Sequence, residues 1–404
     1  MLIMPELQTP PKGTEPRPAQ KKQIGLETFV FIALFGGFFA VLAVKMGLVN
    51  AMNTLMNTAY SLLMDTVFYL MAICVLMGAI SDMFAEFGVV SLANRLLRPL
   101  MKPLYGLPGA ASLGIVTTFL SDNPVILTLA DNRYFRSFFK TYQFPALTNL
   151  GTSFGMGMIV CTYMLSLSVR TGQPYGLPVL TGLLGAIIGS IVSTRLMLRF
   201  TVKIYGREQD MVPEGERPQG IGKNMRPVRE GSVGSRLMAS ILEGGASGVK
   251  MGLSIIPGVV VICTVVMILT NGPGAEGVYT GGAYEGIRLL PWLADKAGFL
   301  LRPLFGFSSP EAIGVPITAL GAAGAAIGVA SRLASEGLAD AGDIAVFTAM
   351  CMCWSGYLST HVSMMNSLKC ENLISKAIIS HTVGGLCAGV AAHWLYVLLT
   401  AIFH

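Results

Sequence analysis

Charge is what this sequence has least of. Only 12% of its 404 residues are Asp, Glu, Lys or Arg, about half the share of an ordinary soluble domain. Those charges gather in the first 24 residues and in 201–246, leaving long stretches with none. A soluble core does not demand that pattern, and a bilayer does. Histidine is scarcer still, with four in the chain, and His381 and His393 stand at no metal-ligand spacing. The seven cysteines are odd in number and lie in or beside apolar segments, which argues against a disulfide framework and for small buried hydrophobes. Cys351-x-Cys353 lacks zinc-knuckle spacing and has no answering pair. Enzyme motifs are missing too. Gly244-Gly-Ala-Ser-Gly248-Val-Lys250 has the wrong glycine spacing for a phosphate loop, and Met251 stands where the Mg²⁺-binding hydroxyl is required. There is no zinc-protease helix and no nucleophile elbow, so the chain reads as no enzyme and calls for no cofactor or metal.

What is present is apolar. Hydrophobic residues make up 53% of the chain, with runs long enough to span near 27–49, 58–81, 145–168, 176–200, 247–270, 344–366 and 377–402. About 20 residues cross the hydrocarbon core as a helix. The expectation is therefore an all-α multi-pass membrane protein of about seven transmembrane helices. The glycine pairs Gly185/Gly189, Gly248/Gly252 and Gly385/Gly389 would let helices approach closely. The net charge of +6 sits mainly in loops and the N-terminal tail, a positive-inside signal rather than a nucleic-acid surface. No cleavable signal is evident ahead of the first run, and the polar tail is expected to be disordered.

Two further apolar segments, 109–130 and 309–330, are interrupted near their centres, by Ser121-Asp122-Asn123-Pro124 and by Gly321-Ala-Ala-Gly324. Each could cross the membrane or fold back as a re-entrant hairpin of two half-helices. Charge favours the hairpin. If the tail is cytoplasmic, a re-entrant first segment returns Arg133, Arg136 and Lys140 to the cytoplasm and puts the basic loop there as well. Amphipathic segments at 89–104 and 285–305 precede the two hairpins and read as interfacial helices.

The halves repeat. Lys102-Pro-Leu-Tyr-Gly106 recurs as Arg302-Pro-Leu-Phe-Gly306, and the same offset of 200 aligns Gly114 with Gly314, Thr118 with Thr318, Thr148 with Thr348 and Phe154 with Trp354. Three spans between the hairpins invert the second half. Inverted repeats with broken helices near the midplane are a transporter design, because half-helix ends and unwound backbone can hold a solute there. The expected organisation is a disordered cytoplasmic tail at 1–24, a first membrane half at 25–200, a basic cytoplasmic linker at 201–246 and a second half at 247–404.

Asp122 and Asn123 stand at the first break, where an intramembrane carboxylate defaults to a functional role. Against that, Ser121 and Asp122 could simply cap the half-helix beginning at Pro124. Thr117 and Thr118 could line the same site. Asn149 and Ser153 form a polar face on the following span, and His361 does so in the second half. Hydroxyls in spanning helices most often bond back to their own carbonyls, whereas Asn149 and His361 need partners. Phe154 and Trp354 could stack on a flat ring from both sides, although core packing is the plainer account of both.

Asn123-Pro-Val-Ile-Leu-Thr-Leu-Ala-Asp-Asn-Arg133, and Gly106-x-x-Gly-Ala-Ala-Ser-Leu-Gly114 before it, resemble the nucleoside recognition (Gate) domain membrane proteins. That family includes the bacterial spore maturation proteins A and B and the Gate regions of ferrous iron transport protein B. The resemblance covers roughly 60–165 and 250–365. It implies permeation of a small polar solute, nucleoside-like by the family label, at a bacterial inner membrane. A coupling H⁺ or Na⁺ and the lipid bilayer are the other expected partners, and self-association into a homo-oligomer stays open. The chain departs from the family in lacking a GTPase domain and in having no acidic or amide residue at the second break. A non-transporting component of envelope or spore assembly and a metal-ion permease are the competing readings.

Overall fold

The computed structural model describes residues 22–123, 125–216, 228–274, 276–355 and 357–403. Most of the expected tail at 1–24 lies outside the described residues, as do Arg217, Lys223 and Arg226 of the expected linker. Among the described residues the fold is all helical, with one isolated bridge between Lys140 and Asp210.

Helix α1 (Leu26–Met46) is apolar between its end turns, with Glu27 in the first and Lys45 in the last, each complementing the helix dipole. It ends at Gly47, whose φ of 81° turns the chain directly into α2 (Leu48–Glu86). Helix α2 has 39 residues, twice what the hydrocarbon core requires, and winds more widely, as a π-helix, over Leu62–Val67. The amphipathic α3 (Val89–Leu100) follows with no buried residue.

The first interrupted segment forms α4 (Ala111–Leu120) and α5 (Val125–Asp131). They double back on each other: a Cβ placed on Gly114 would lie 2.7 Å from Ile126 Cδ1, a contact that a straight helix of that length could not make. Beyond them come α6 (Ala146–Thr152), α7 (Gly157–Thr171) and α8 (Gly176–Tyr205). The expected single span at 145–168 is thus two helices, separated at Ser153–Met156, where Met156 adopts a left-handed φ of 55°.

The second half repeats this order. Helix α9 (Val233–Thr270) is followed by the short α10 (Leu289–Lys296) and α11 (Gly298–Phe305). Helices α12 (Gly314–Ala319) and α13 (Ala323–Ser335) form the second fold-back, with Gly314 facing Val329. Helices α14 (Ala341–Cys353) and α15 (Tyr357–Ser367) come next, and α16 (Ile374–Phe403) closes the chain. Gly157 and Tyr357 open α7 and α15 at the offset of 200 seen in the sequence. Among the described residues six helical stretches are long and apolar enough to cross a membrane, when α6 and α7 are taken together as one stretch over Ala146–Thr171. The expected seventh span, 344–366, is the broken pair α14–α15, whose members have 13 and 11 residues.

Small residues hold the halves together. Gly244 and Gly248 of α9 press on Gly78 and Cys74 of α2, so that a Cβ on Gly248 would lie 2.2 Å from the Cys74 carbonyl oxygen. Gly185 and Gly189 of α8 meet Ala388 and Gly384 of α16 in the same way. Gly385 and Gly389 do not form such a seam; they accommodate the side chains of Trp354 and of Met350 and Phe305. Without a hydrophobic gain between helices in lipid, this closeness is what makes dispersion effective.

Candidate functional site

The break between α4 and α5 sits where two other breaks converge. Ser121 leaves helical geometry at φ −130° and ψ −117°, and Asp122 Oδ1 accepts from the Asn123 N–H at 2.7 Å. Asn123 is 2% exposed. Its side-chain N–H donates at 2.6 Å to the carbonyl of Ser355, in the gap between α14 and α15. Its other side faces the gap between α6 and α7, where a Cβ on Gly155 would lie 1.6 Å from Asn123 Oδ1. That oxygen is buried without a partner among the described residues. A carbonyl freed by a helix break needs a donor when no water reaches it, and the hairpin tip supplies one.

Beside the tip lies a cavity of about 350 Å³. Thr117 and Ser121 line it from the hairpin, Cys74, Ser81 and Asp82 from α2, and Ser247 from α9. The Ser81 hydroxyl donates to the Leu120 carbonyl at 2.6 Å, tying α2 to the tip. Asn123 stands just outside this lining. Arg229, also in the lining, pairs with Asp82 at 2.6 Å, Glu86 at 2.9 Å and Glu243 at 2.6 Å, while Arg236 pairs with Glu86 at 2.6 Å. Its hydrogen bond to Glu243, joined by those to Asp82 and Glu86, holds the Arg229 guanidinium above its usual pKa. In the sequence Arg229 and Arg236 are merely two charges of a basic loop. The available signal was Asp82 and Glu86, four apart at the end of an apolar run.

The other expected site residues are distributed differently. Thr117 and Thr118 bond back to Leu113 and Gly114 of their own helix, both at 2.7 Å, and Thr118 is fully buried. Asn149 is also fully buried, donating to Ser193 Oγ and to the Ala377 carbonyl, each at 3.0 Å. The Ser193 hydroxyl is 3.0 Å from His381 Nδ1, and His381 Nε2 bonds the Cys353 carbonyl. With Ser193 donating, His381 is a neutral imidazole that bears its proton on Nε2. This chain of bonds clamps α6, α8, α14 and α16 around the second break. Ser153 bonds back to the Asn149 carbonyl at 2.8 Å. His361 bonds the Tyr357 carbonyl through Nδ1 at 2.7 Å, leaves Nε2 buried without a partner among the described residues, and packs its ring, tilted by 48°, 4.5 Å from the His381 ring. Phe154 and Trp354 are buried in separate core clusters, the latter with its indole N–H 3.4 Å from the His381 carbonyl. Among the described residues no three His, Cys, Asp or Glu side chains gather as a metal site.

No family model matches the chain, and no curated protein matches it. The resemblance to the nucleoside recognition family therefore stands on the quoted residues alone. Solved structures do resemble it. A substituted form of CNTnw, a concentrative nucleoside transporter, in an outward-facing state matches with a TM-score of 0.47 at 14% identity, over 92% of this chain and 85% of that one. CNTnw in an inward-facing substrate-bound state matches at 0.46 and 12% identity, over 91% and 86%. A substituted form in an intermediate state gives 0.44 and 13%, over 92% and 85%.

Proposed function

We propose that this protein is a membrane permease for a small polar solute, working by alternating access at the junction of three of its helix breaks. The observation that carries the reading is the Asn123–Ser355 hydrogen bond, which joins the hairpin tip of one repeat to the interrupted helix of the other. Broken helices are costly in lipid unless the freed backbone is satisfied or lines a cavity, and this one adjoins a cavity. Solute would enter beside Thr117 and Ser121, meet Asp122 and Asn123, and pass as the two repeats rock. The Asn123 oxygen that lacks a partner is suited to accept from the solute or to ligate a coupling cation, H⁺ being the alternative ion. Both fold-backs are re-entrant in this reading, as the charge of the flanking loops favours.

The test is thermal stabilisation of the purified protein by nucleosides, bases, amino acids, organic acids, polyamines and divalent cations. A solute at 100 times its dissociation constant adds about 2.7 kcal/mol. Stabilisation by one class, lost in Asp122→Asn but with the fold intact, supports the reading and names the solute. A folded protein that no member of the panel stabilises would move the case toward a scaffold.

A further inference from the structure

Helix α8 carries Arg195 and Arg199 and, after one further turn each, Lys203 and then Arg207 just beyond its end. A spacing of four places Arg195, Arg199 and Lys203 on one face of α8, and Arg207, past the turn at Gly206, lines one groove with them. Leu198, Val202 and Tyr142 also line this groove, of about 810 Å³. Like charges four apart on a helix repel, so the stripe needs an answer.

Part of that answer is visible. The Arg195 Nε donates to the Leu104 carbonyl at 2.7 Å, and another of its nitrogens bonds the Pro103 carbonyl. The helix dipole favours Lys203 and Arg207 but fades within the last turn. Two of the nearby acids are spent elsewhere. Asp210 pairs with Lys140 at 2.9 Å and Glu216 with Arg133 at 2.5 Å, and Glu208 makes no ion pair among the described residues. No described acidic side chain pairs with Arg199, Lys203 or Arg207.

The groove's depth in the bilayer follows from its neighbour. The segment that Arg195 grips ends an amphipathic stretch whose Leu92, Leu96, Leu100 and Leu104 are all exposed, again four apart. Such a row of leucines lies in the acyl boundary with its helix in the interface plane, which sets the adjoining groove at headgroup level. A tyrosine in the lining, Tyr142, suits that depth. Leu198 and Val202 lining the groove beside three cations match an acyl chain next to a phosphodiester, not a free ion.

We propose that this groove binds the headgroup of an anionic glycerophospholipid, with Arg199, Lys203 and Arg207 on the phosphate and Leu198 and Val202 against the first acyl carbons. The proposal rests on the chain lying in a membrane and is independent of whether it transports.

Native mass spectrometry of the detergent-solubilised protein, offered phosphatidylglycerol or phosphatidylcholine of the same chain length, tests it. Wild type should retain at least about tenfold more of the anionic lipid, with the preference shrinking as salt rises. The triple variant Arg199→Gln, Lys203→Gln, Arg207→Gln should lose the preference, whereas Arg199→Lys with Arg207→Lys should keep it. Equal retention of both lipids by wild type overturns the proposal without recourse to any variant. So does undiminished preference in the folded triple variant. Displacement of the lipid by excess inorganic phosphate would show a bare-anion site instead and would equally end the lipid assignment.

Discussion

Asn123 and Ser355, 232 positions apart, meet through a 2.6 Å hydrogen bond from the side-chain amide of the first to the backbone carbonyl of the second. The pairing is asymmetric within a symmetric frame. At the offset of 200, Ser355 corresponds to Gly155 and Asn123 to Ala323. The amide of one hairpin therefore touches the breaks of both repeats, on the Gly155 side by contact and on the Ser355 side by donation. The second hairpin offers only a methyl group at the matching place.

Asn123→Ala leaves the Ser355 carbonyl buried without its donor and should lower stability by about 1–3 kcal/mol. Gly155→Ala attacks the same seat from behind, since its Cβ would need the space of Asn123 Oδ1. Both variants should unfold at lower temperature than wild type, and both should lose any ligand stabilisation found for the parent. Gly151→Ala, whose Cβ would stand 3.3 Å from Ile126 Cβ, should be milder than Gly155→Ala. If Gly155→Ala melts like wild type, the tip is not seated as described.

Much of this arrangement was legible in the sequence, for reasons that the junction makes plain. Ser121-Asp122-Asn123-Pro124 announces a break because proline and capping side chains end helices locally. The repeat was legible because identical residues recur at one offset. The gap at Ser153–Met156 was not, since Phe154-Gly155-Met156 reads as an ordinary span. Only the arrival of Asn123 from another segment gives its glycine a purpose. Asn149 shows the converse: its need for partners in lipid was readable, but Ser193 and Ala377, which satisfy it, are distant in the chain. Arg229 looked like one basic residue of a loop because its three carboxylates come from α2 and α9.

The glycine seam between α2 and α9 gives a second prediction. Gly248→Ala puts a methyl group against the Cys74 carbonyl at 2.2 Å, where the obstacle is backbone and cannot rotate away. The helices must separate, at a cost of about 1–3 kcal/mol. Gly245→Ala meets only Val75 Cγ1 at 3.7 Å and should stay within about 1 kcal/mol of wild type. Chemical denaturation of the two variants in the same detergent compares them, and equal midpoints would refute the seam.

Arg229 lines the cavity beside the hairpin tip and ties Asp82 and Glu86 of α2 to Glu243 of α9, so releasing it should widen the path to Cys74, which lines the same cavity. In a background with the half-buried Cys161 and Cys387 replaced by Ser, Arg229→Gln should speed labelling of Cys74 by a membrane-impermeant thiol reagent. Raised salt should speed it in the parent as well, because partly exposed ion pairs are screened. Arg229→Lys keeps the charge but not the forked geometry that reaches three carboxylates, so its rate should fall between the two. Labelling at the parental rate in Arg229→Gln would mean that the ion cluster is not the barrier.

The loop between α9 and α10 should respond to acid through Glu285. It docks on α2, with Asn50 donating to the Tyr279 carbonyl at 2.9 Å, Asn57 donating to the Gly281 carbonyl at 2.8 Å, and the Tyr284 N–H donating to Thr58 Oγ1 at 2.8 Å. The loop's internal clasp is Glu285, whose carboxylate accepts from the Thr280 hydroxyl at 2.6 Å and from the backbone N–H groups of Thr280 and Gly281, both at 3.0 Å. Burial alone would raise its pKa, but the hydrogen bonds from Thr280 and the neighbouring glycines outweigh it and hold the carboxyl below its ordinary value of 4.5. A carboxylate depressed in the folded state contributes stability that is full above its unfolded pKa and is lost as pH falls through the folded one. Amide exchange in 276–288, corrected for intrinsic rates, should therefore show constant protection from neutral pH down to about 5 and a loss of protection below about 4. Glu285→Gln should be less protected at neutral pH and flat across that range, because its amide keeps the shape but not the charge that strengthens those bonds. A wild-type loop whose protection does not change on acidification would place the clasp elsewhere, in the contacts of Tyr284 with Ser61 and Arg332.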